Sequence, residues 1–374
     1  MDENNNKKVL ENFNTEYKDY NDYTAIMIST DRAIFIETSA VRARMIEYSK
    51  LYKELHIIVF STNNFETVNL SENCKIYSTN SLTKLDYIRG AYNVGKEILK
   101  NIPVGEKVLF TCQDPFETGL VGAKLSSIRN GSELLLQIHT DLFSPYFGSL
   151  KIGFKNFILN NLRLFISRFT LPRANTIRVV SKKIADSLEK RGFSIEKIIV
   201  KPIEVNVDFF KNSVPAFSLK EKFPQFKKIV LMVSRLETEK NIDMAIRAVA
   251  KVIEQRKSQA DGQVNGRGHG QNSDLGLVIV GSGKEMQKLK KLAYTLKIEA
   301  QVAFEGFQSD LIPYYKGCDI FLVTSWYEGY GMVFKEAQAA GCRIISTDVG
   351  IAREVGVEIV GWEVEDIVEV LNEI

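Results

Sequence analysis

The sequence predicts two doubly wound α/β domains, each a parallel sheet with helices on both faces. Three observations carry this. The chain has 374 residues, more than one compact core organises comfortably. Short apolar runs of strand length alternate with longer amphipathic runs. A polar stretch punctuated by Pro202 and Pro215, VKPIEVNVDFFKNSVPAF, divides that alternation into two halves. The first domain is placed over 21–205 and the second over 206–374, after a polar N-terminal segment, 1–20, expected to be loosely ordered.

In the first half the strand runs are TAIMIS from Thr24, HIIVFS from His56, KVLFTC from Lys107, LLLQIH from Leu134, IRVVS from Ile177 and IIVKPI from Ile198. In the second half they are IVLMVS from Ile229, LVIVGSG from Leu277, VAFEG from Val302, DIFLVTS from Asp319 and RIISTD from Arg343. Such runs are nearly continuous in apolar residues, as strands covered on both faces are. The clearest helix is NIDMAIRAVAKVI, which puts Ile242, Ala245, Ile246, Val249 and Ile253 on one stripe. Residues 256–274, RKSQADGQVNGRGHGQNSD, lack apolar periodicity and read as a flexible surface loop, with His269 exposed to solvent. Ligands of doubly wound sheets bind beyond the carboxyl ends of the strands, and two such domains facing each other would enclose a cleft.

Composition narrows the function classes. The formal net charge of +3 gives no nucleic-acid signal. Cys74, Cys112, Cys318 and Cys342 have no metal-ligand spacing and read as reduced thiols of a cytosolic protein. No apolar run has the length of a membrane span, and the polar N-terminus is no signal peptide.

The most informative stretch is SWYEGYGMVFKEAQAAG, Ser325 to Gly341. It ends a buried strand and opens a helix. Gly329 and Gly331 keep its first part non-helical, so the N–H groups of Gly331, Met332 and Val333 lack intrahelical partners and attract anions. Glu328 stands before this helix start and Glu336 about a turn and a half inside. Phosphate on the N–H groups and hydroxyls on the carboxylates together describe a sugar nucleotide.

Other strand ends add candidates. VSRLETEKN places Arg235 and Lys240 where they can converge on a diphosphate, or else sit as surface cations beside Glu237 and Glu239. Gly281, in GSGKEM, permits close backbone approach but lacks the dinucleotide spacing. Gly306 and Phe307 form either a nucleobase ledge or an ordinary turn. His139 and Asp141, in QIHTDLF, end a strand of the first half; His139 is either structural or a sugar contact. Asp114 and Glu117, in CQDPFETG, either meet an acceptor, or else Asp114 or Thr118 caps a helix. No pair of aspartates spaced as DxD occurs, so a leaving diphosphate is expected to be neutralised by Arg235, Lys240 and the helix start rather than by a metal. The segment 149–173 combines Lys151, Lys155, Arg163, Arg168 and Arg173 with many apolar residues. It is either a basic amphipathic helix for an anionic membrane surface or a helix packed on a sheet with its cations solvated.

Taken together, these motifs resemble glycosyltransferase family 4, retaining enzymes of the GT-B fold, from about Tyr23 onward. SWYEGYGMVFKEAQAAG is similar to the E-x7-E signature and VSRLETEKN to the diphosphate motif. The resemblance implies a glycosyltransferase with no cofactor, using a nucleoside diphosphate sugar and a sugar, lipid-linked sugar or other hydroxyl acceptor. It would lie in the cytoplasm, free or at the inner face of the membrane. Arg235 and Lys240 would hold the diphosphate and Glu336 the ribose. Glu328 would contact hydroxyls of the transferred sugar, helped by Gly331, Met332 and Val333, and His139 would sit near that sugar. The alternatives are a non-catalytic sugar-nucleotide binder and a sugar-nucleotide epimerase. In two places the chain departs from the family. STDRAIFIETSAVRARM lacks the paired glycines many members have there, leaving Ser39 to stand in, and the chain ends at Ile374, where members often continue with a further helix.

Overall fold

A computed structural model describes residues 19–263 and 275–373. Compactness divides the chain into two units, one running to Leu142 and resuming over Ile158–Pro202, the other comprising Phe143–Phe157 and Ile203 onward.

Among the described residues the first unit is built on eight strands: β1 (Thr24–Ser29), β2 (Glu54–Val59), β3 (Val68–Ser71), β4 (Cys74–Ser78), β5 (Val108–Cys112), β6 (Glu133–Ile138), β7 (Thr176–Val179) and β8 (Ile198–Val200). Their order is β3-β4-β2-β1-β5-β6-β7-β8, parallel throughout except for β3 against β4. Helices α1 (Ala40–Ser49), α2 (Tyr87–Lys100), α3 (Glu117–Ser126), α4 (Phe154–Thr170) and α5 (Lys182–Glu189) connect them, with α4 starting in the other unit. β1 is buried along its whole length, which is why TAIMIS has no polar face. The core beside it gathers Ala25, Met27, Leu55, Ile57, Ile76 and Leu109. Tyr20, expected in the loose N-terminal segment, is buried in that core and packs edge-on against Tyr23 at 5.1 Å. Residues 1–18 of the segment lie outside the described residues.

Among the described residues the second unit has six strands: β9 (Lys228–Val233), β10 (Leu275–Val280), β11 (Val302–Gly306), β12 (Ile320–Val323), β13 (Ile344–Thr347) and β14 (Glu358–Val360). The order β11-β10-β9-β12-β13-β14 is parallel throughout. Its helices are α6 (Val207–Asn212), α7 (Leu219–Lys222), α8 (Ile242–Gln263), α9 (Met286–Thr295), α10 (Ile312–Gly317), α11 (Met332–Ala339) and α12 (Val364–Leu371). β9 lies between β10, which follows it in the chain, and β12. The connections leave β9 and β12 in opposite directions, so the carboxyl ends of these two strands form the switch point where such sheets bind ligands.

Two expectations are corrected. The loop read over 256–274 begins later, because α8 continues to Gln263. Arg256, Lys257 and Gln259 are good helix formers, and Arg256 is anchored through Nη2 to the Leu371 carbonyl at 2.9 Å. Residues 264–274, His269 among them, lie outside the described residues. The stretch 143–157 packs with the second unit rather than the first. Tyr146 is seated against Trp326 and Trp362, with ring centroids 4.8 and 5.2 Å away, and Lys151 lies over the Trp326 ring at 4.3 Å. The four cysteines are free, and the sulfurs of Cys318 and Cys342 lie 3.8 Å apart. Among the described residues, no helix is long and apolar enough to cross a membrane.

Candidate active site

The loops after β9 and β12 meet at the switch point of the second sheet. Lys240, on the short 3-10 turn Thr238–Lys240, donates through Nζ to Glu328 Oε1 at 2.5 Å, and only 13% and 14% of the two side chains is exposed. Ser325 Oγ donates to the same oxygen at 2.8 Å. The backbone holds this pair in register. The Thr324 hydroxyl donates to the carbonyls of Lys240 and Asn241, and Trp326 N–H donates to the Glu239 carbonyl at 2.8 Å. The chain leaves the Lys240 turn through Asn241 at φ +51°, a left-handed conformation that asparagine accepts more readily than most residues.

Arg235 lies on the same loop but is engaged differently. It is 72% exposed and its Nη2 donates to Glu239 at 3.2 Å. The chain thus presents one largely buried cation and one exposed cation at one strand end.

Helix α11 begins at Gly331, whose φ of +79° turns the chain into the helix. Phe334 N–H reaches the Gly331 carbonyl at 3.0 Å, so the N–H groups of Gly331, Met332 and Val333 come before the first intrahelical bond. Glu336 accepts from the Tyr315 hydroxyl at 2.8 Å. Burial raises the Glu336 pKa, and the Tyr315 bond pulls the other way. Tyr315 itself is held neutral by burial and by the charge of Glu336.

Several supporting residues left no signal in the sequence. Tyr315 comes from α10, which has no motif. Gly350, at φ +51°, lies so close to the Glu328–Tyr330 turn that a Cβ there would meet the Tyr330 carbonyl oxygen at 2.3 Å. Thr347 and Trp362 both donate to the Ser325 carbonyl, at 2.8 and 3.1 Å.

Gly281 and Gly306 serve each other first. Gly281 N–H donates to the Gly306 carbonyl at 2.7 Å, and a Cβ on Gly281, whose φ is +136°, would overlap the Ser234 carbonyl oxygen. The need for glycine at 281 is therefore met by backbone packing against the Arg235 loop. Phe307, beyond Gly306, is 77% exposed and free to present a ring face.

The first-unit candidates are more engaged with their own domain. His139, at the end of β6, has Nε2 3.2 Å from Gln137 Oε1, and Gln137 in turn donates to Thr111. Part of the ring reaches solvent, but surrounding walls desolvate it and Arg178 repels its charge, which lowers its pKa to about 4, so the imidazole is neutral near pH 7. Asp141 is 7% exposed, too buried as it stands to meet an acceptor. Ser39 caps α1, accepting from Arg42 N–H and donating to the Ala33 carbonyl. Glu117 pairs with Arg163 at 3.1 Å. Asp114 performs the helix-capping role at the start of α3, with Oδ1 accepting from the N–H groups of Phe116 at 2.8 Å and Thr118 at 3.3 Å.

Burial, and then the neighbouring charge of Glu117, raise the Asp114 pKa to about 6. A carboxyl whose folded pKa lies above its unfolded value favours the fold at low pH. That stabilisation fades as pH rises from about 3.8 towards 6. Asp114→Asn keeps the acceptor oxygen and cannot ionise. It is expected to be more stable than the parent by about 1–3 kcal/mol near neutral pH, with the difference vanishing below about pH 4. Thermal denaturation across that pH range measures this, and parallel curves for the two proteins would show that Asp114 does not titrate as described.

Residues 215–365 match the family described as Glycosyl transferases group 1. A Campylobacter jejuni protein, N-acetylgalactosamine-N,N'-diacetylbacillosaminyl-diphospho-undecaprenol 4-alpha-N-acetylgalactosaminyltransferase, is 27% identical over 199 residues, 51% of this chain and 47% of that protein. The alpha-monoglucosyldiacylglycerol synthase of Streptococcus pneumoniae is 22% identical over 308 residues, 80% of this chain and 65% of that protein. The chain thus spans between 47% and 65% of the length of these curated relatives. Among solved structures, Anabaena HepE in complex with UDP superimposes with a TM-score of 0.63 at 16% identity, over 94% of this chain and 89% of that one. The fold is therefore GT-B, two α/β domains on largely parallel sheets, and the match to the glycosyl transferases group 1 family lies in its second unit.

Proposed function

We propose that this chain is a retaining, metal-independent glycosyltransferase that moves a hexose-type sugar from a nucleoside diphosphate sugar to an acceptor hydroxyl. The Lys240–Glu328 pair carries the reading, because it joins a diphosphate-type cation to a sugar-type carboxylate beside an unsatisfied helix start. In this reading the diphosphate lies on the N–H groups of Gly331, Met332 and Val333. Lys240 turns from Glu328 towards it and Arg235 turns from Glu239. Glu328, released, accepts hydroxyls of the transferred sugar, Glu336 accepts from the ribose, and Phe307 offers a ledge for the base. The acceptor oxygen bonds to the anomeric carbon on the face from which the diphosphate departs. The acceptor proton passes to a departing phosphate oxygen, whose charge the two cations and the helix start stabilise. The names of the Campylobacter and Streptococcus relatives support an acceptor in glycolipid or polysaccharide synthesis, and the HepE complex supports a UDP-type donor.

The test is thermal stability against UDP-, GDP-, ADP- and dTDP-sugars, with and without EDTA, followed by product analysis. A donor at a hundred times its dissociation constant is expected to stabilise the fold by about 2.7 kcal/mol, and by the same amount in EDTA. Loss of the shift in EDTA would remove the metal-independent part of the reading. A shift without turnover on any acceptor would make the protein a binder. Conversion of the donor sugar with no acceptor present would make it an epimerase.

A further inference from the structure

Helix α4 is inside out. The residues it buries are Asn160, Ser167 and Thr170. Phe154, Ile158, Leu162, Phe165 and Phe169 are 48–71% exposed. At the α-helical repeat these five fall within roughly 80° of one another, on the side away from the buried polar residues. The amphipathicity read from the sequence is therefore real, but its apolar face does not pack on the sheet. An exposed apolar stripe along four turns of one helix is a surface kept for a partner.

Charge identifies the partner. Between Leu150 and Arg173 there are five cations and no acidic residue. Arg163 is used internally against Glu117, and Lys151 lies over Trp326. Lys155 and Arg168 are exposed and border the stripe on either side, and exposed Arg173 lies just beyond its end. A second copy of this face would bring the same cations together without a compensating carboxylate. An anionic lipid surface offers both hydrocarbon for the apolar stripe and phosphate for its cationic border.

We propose that α4 docks this protein in the plane of an anionic bilayer, with Phe154, Ile158, Leu162, Phe165 and Phe169 inserted below the headgroups and Lys155, Arg168 and Arg173 at their level. The helix lies in the interface and does not span it. This inference is independent of the glycosyltransferase reading, since docking is measured with neither donor nor acceptor present.

The experiment is co-sedimentation of the full chain with two kinds of vesicle, phosphatidylcholine alone and an equal mixture of phosphatidylcholine and phosphatidylglycerol. The parent is expected to pellet with the mixed vesicles and to release as salt is raised. The triple variant Ile158→Gln, Leu162→Gln, Phe165→Gln should stay in the supernatant. The double variant Lys155→Glu, Arg168→Glu should bind at least about tenfold more weakly. All substituted side chains are exposed, so unchanged melting curves are expected, and donor binding should match the parent. The inference is overturned if the parent ignores anionic vesicles or if parent and both variants bind alike. It is also overturned if sedimentation in solution shows a dimer that the triple variant abolishes, since a second copy would then cover the stripe.

Discussion

Lys240→Ala is expected to lower the turnover number by about 10²–10³-fold while changing donor affinity much less, the size seen when one preorganised charge-stabilising donor is removed. Lys240 is the cation that structure holds in place: its loop is fixed by Thr324 and Trp326, and its ammonium is largely shielded from water. In the proposed reaction a fixed, shielded charge would act on the developing diphosphate more strongly than an exposed one such as Arg235. The substitution also strands Glu328, which among the described residues keeps only the Ser325 hydroxyl as partner. Removing one member of a fully buried pair costs about 3–5 kcal/mol, and the remaining exposure of this pair brings the expected loss down to about 1–3 kcal/mol. Lys240→Met with Glu328→Gln removes both charges and should recover most of the stability without recovering turnover. Steady-state kinetics and melting curves on the single and double variants separate the two effects. A double variant that regains both stability and turnover would mean that Lys240 is a structural ion-pair partner alone.

Glu336→Ala is expected to weaken binding of the nucleoside diphosphate by about 10–100-fold, the equivalent of losing hydrogen bonds to a charged acceptor. Tyr315 orients this carboxylate from behind by occupying Oε2. Tyr315→Phe should therefore weaken binding by a smaller factor, because the carboxylate remains but is no longer fixed. Glu336→Ala also leaves the buried Tyr315 hydroxyl without its acceptor, so Glu336→Gln, which keeps an acceptor oxygen for Tyr315, is the control for folding. Its binding should still fall, since a neutral amide accepts ribose hydroxyls less strongly than a carboxylate. Calorimetric titration with the nucleotide identified in the donor panel measures all three. Nucleotide affinity in Glu336→Ala equal to the parent's would remove Glu336 from the ribose site and leave its role as a support for Tyr315.

Much of this protein was legible from its residues alone. Where a strand is buried along its length the apolar run marks it, so TAIMIS coincides with β1, and the other strands read from the sequence lie within three residues of their runs, the edge strand β11 at VAFEG among them. The edge strands β3 and β14 left no such run, nor did β4, which lies between β3 and β2 and alternates buried with more exposed residues. An edge strand is short and half polar, and its pairing is decided by the neighbour it finds. The glycines of SWYEGYGMVFKEAQAAG announced the helix start at Met332, because backbone freedom is a local property. Only the tertiary structure decided which distant residues complete that start. Lys240 reaches Glu328 across 88 positions because β9 and β12 are neighbours in the sheet, and Tyr315 reaches Glu336 because α10 ends beside α11. It also decided that α4 turns its apolar stripe outward. Helical periodicity determines that a stripe exists, but which face the stripe presents depends on what the rest of the chain packs against.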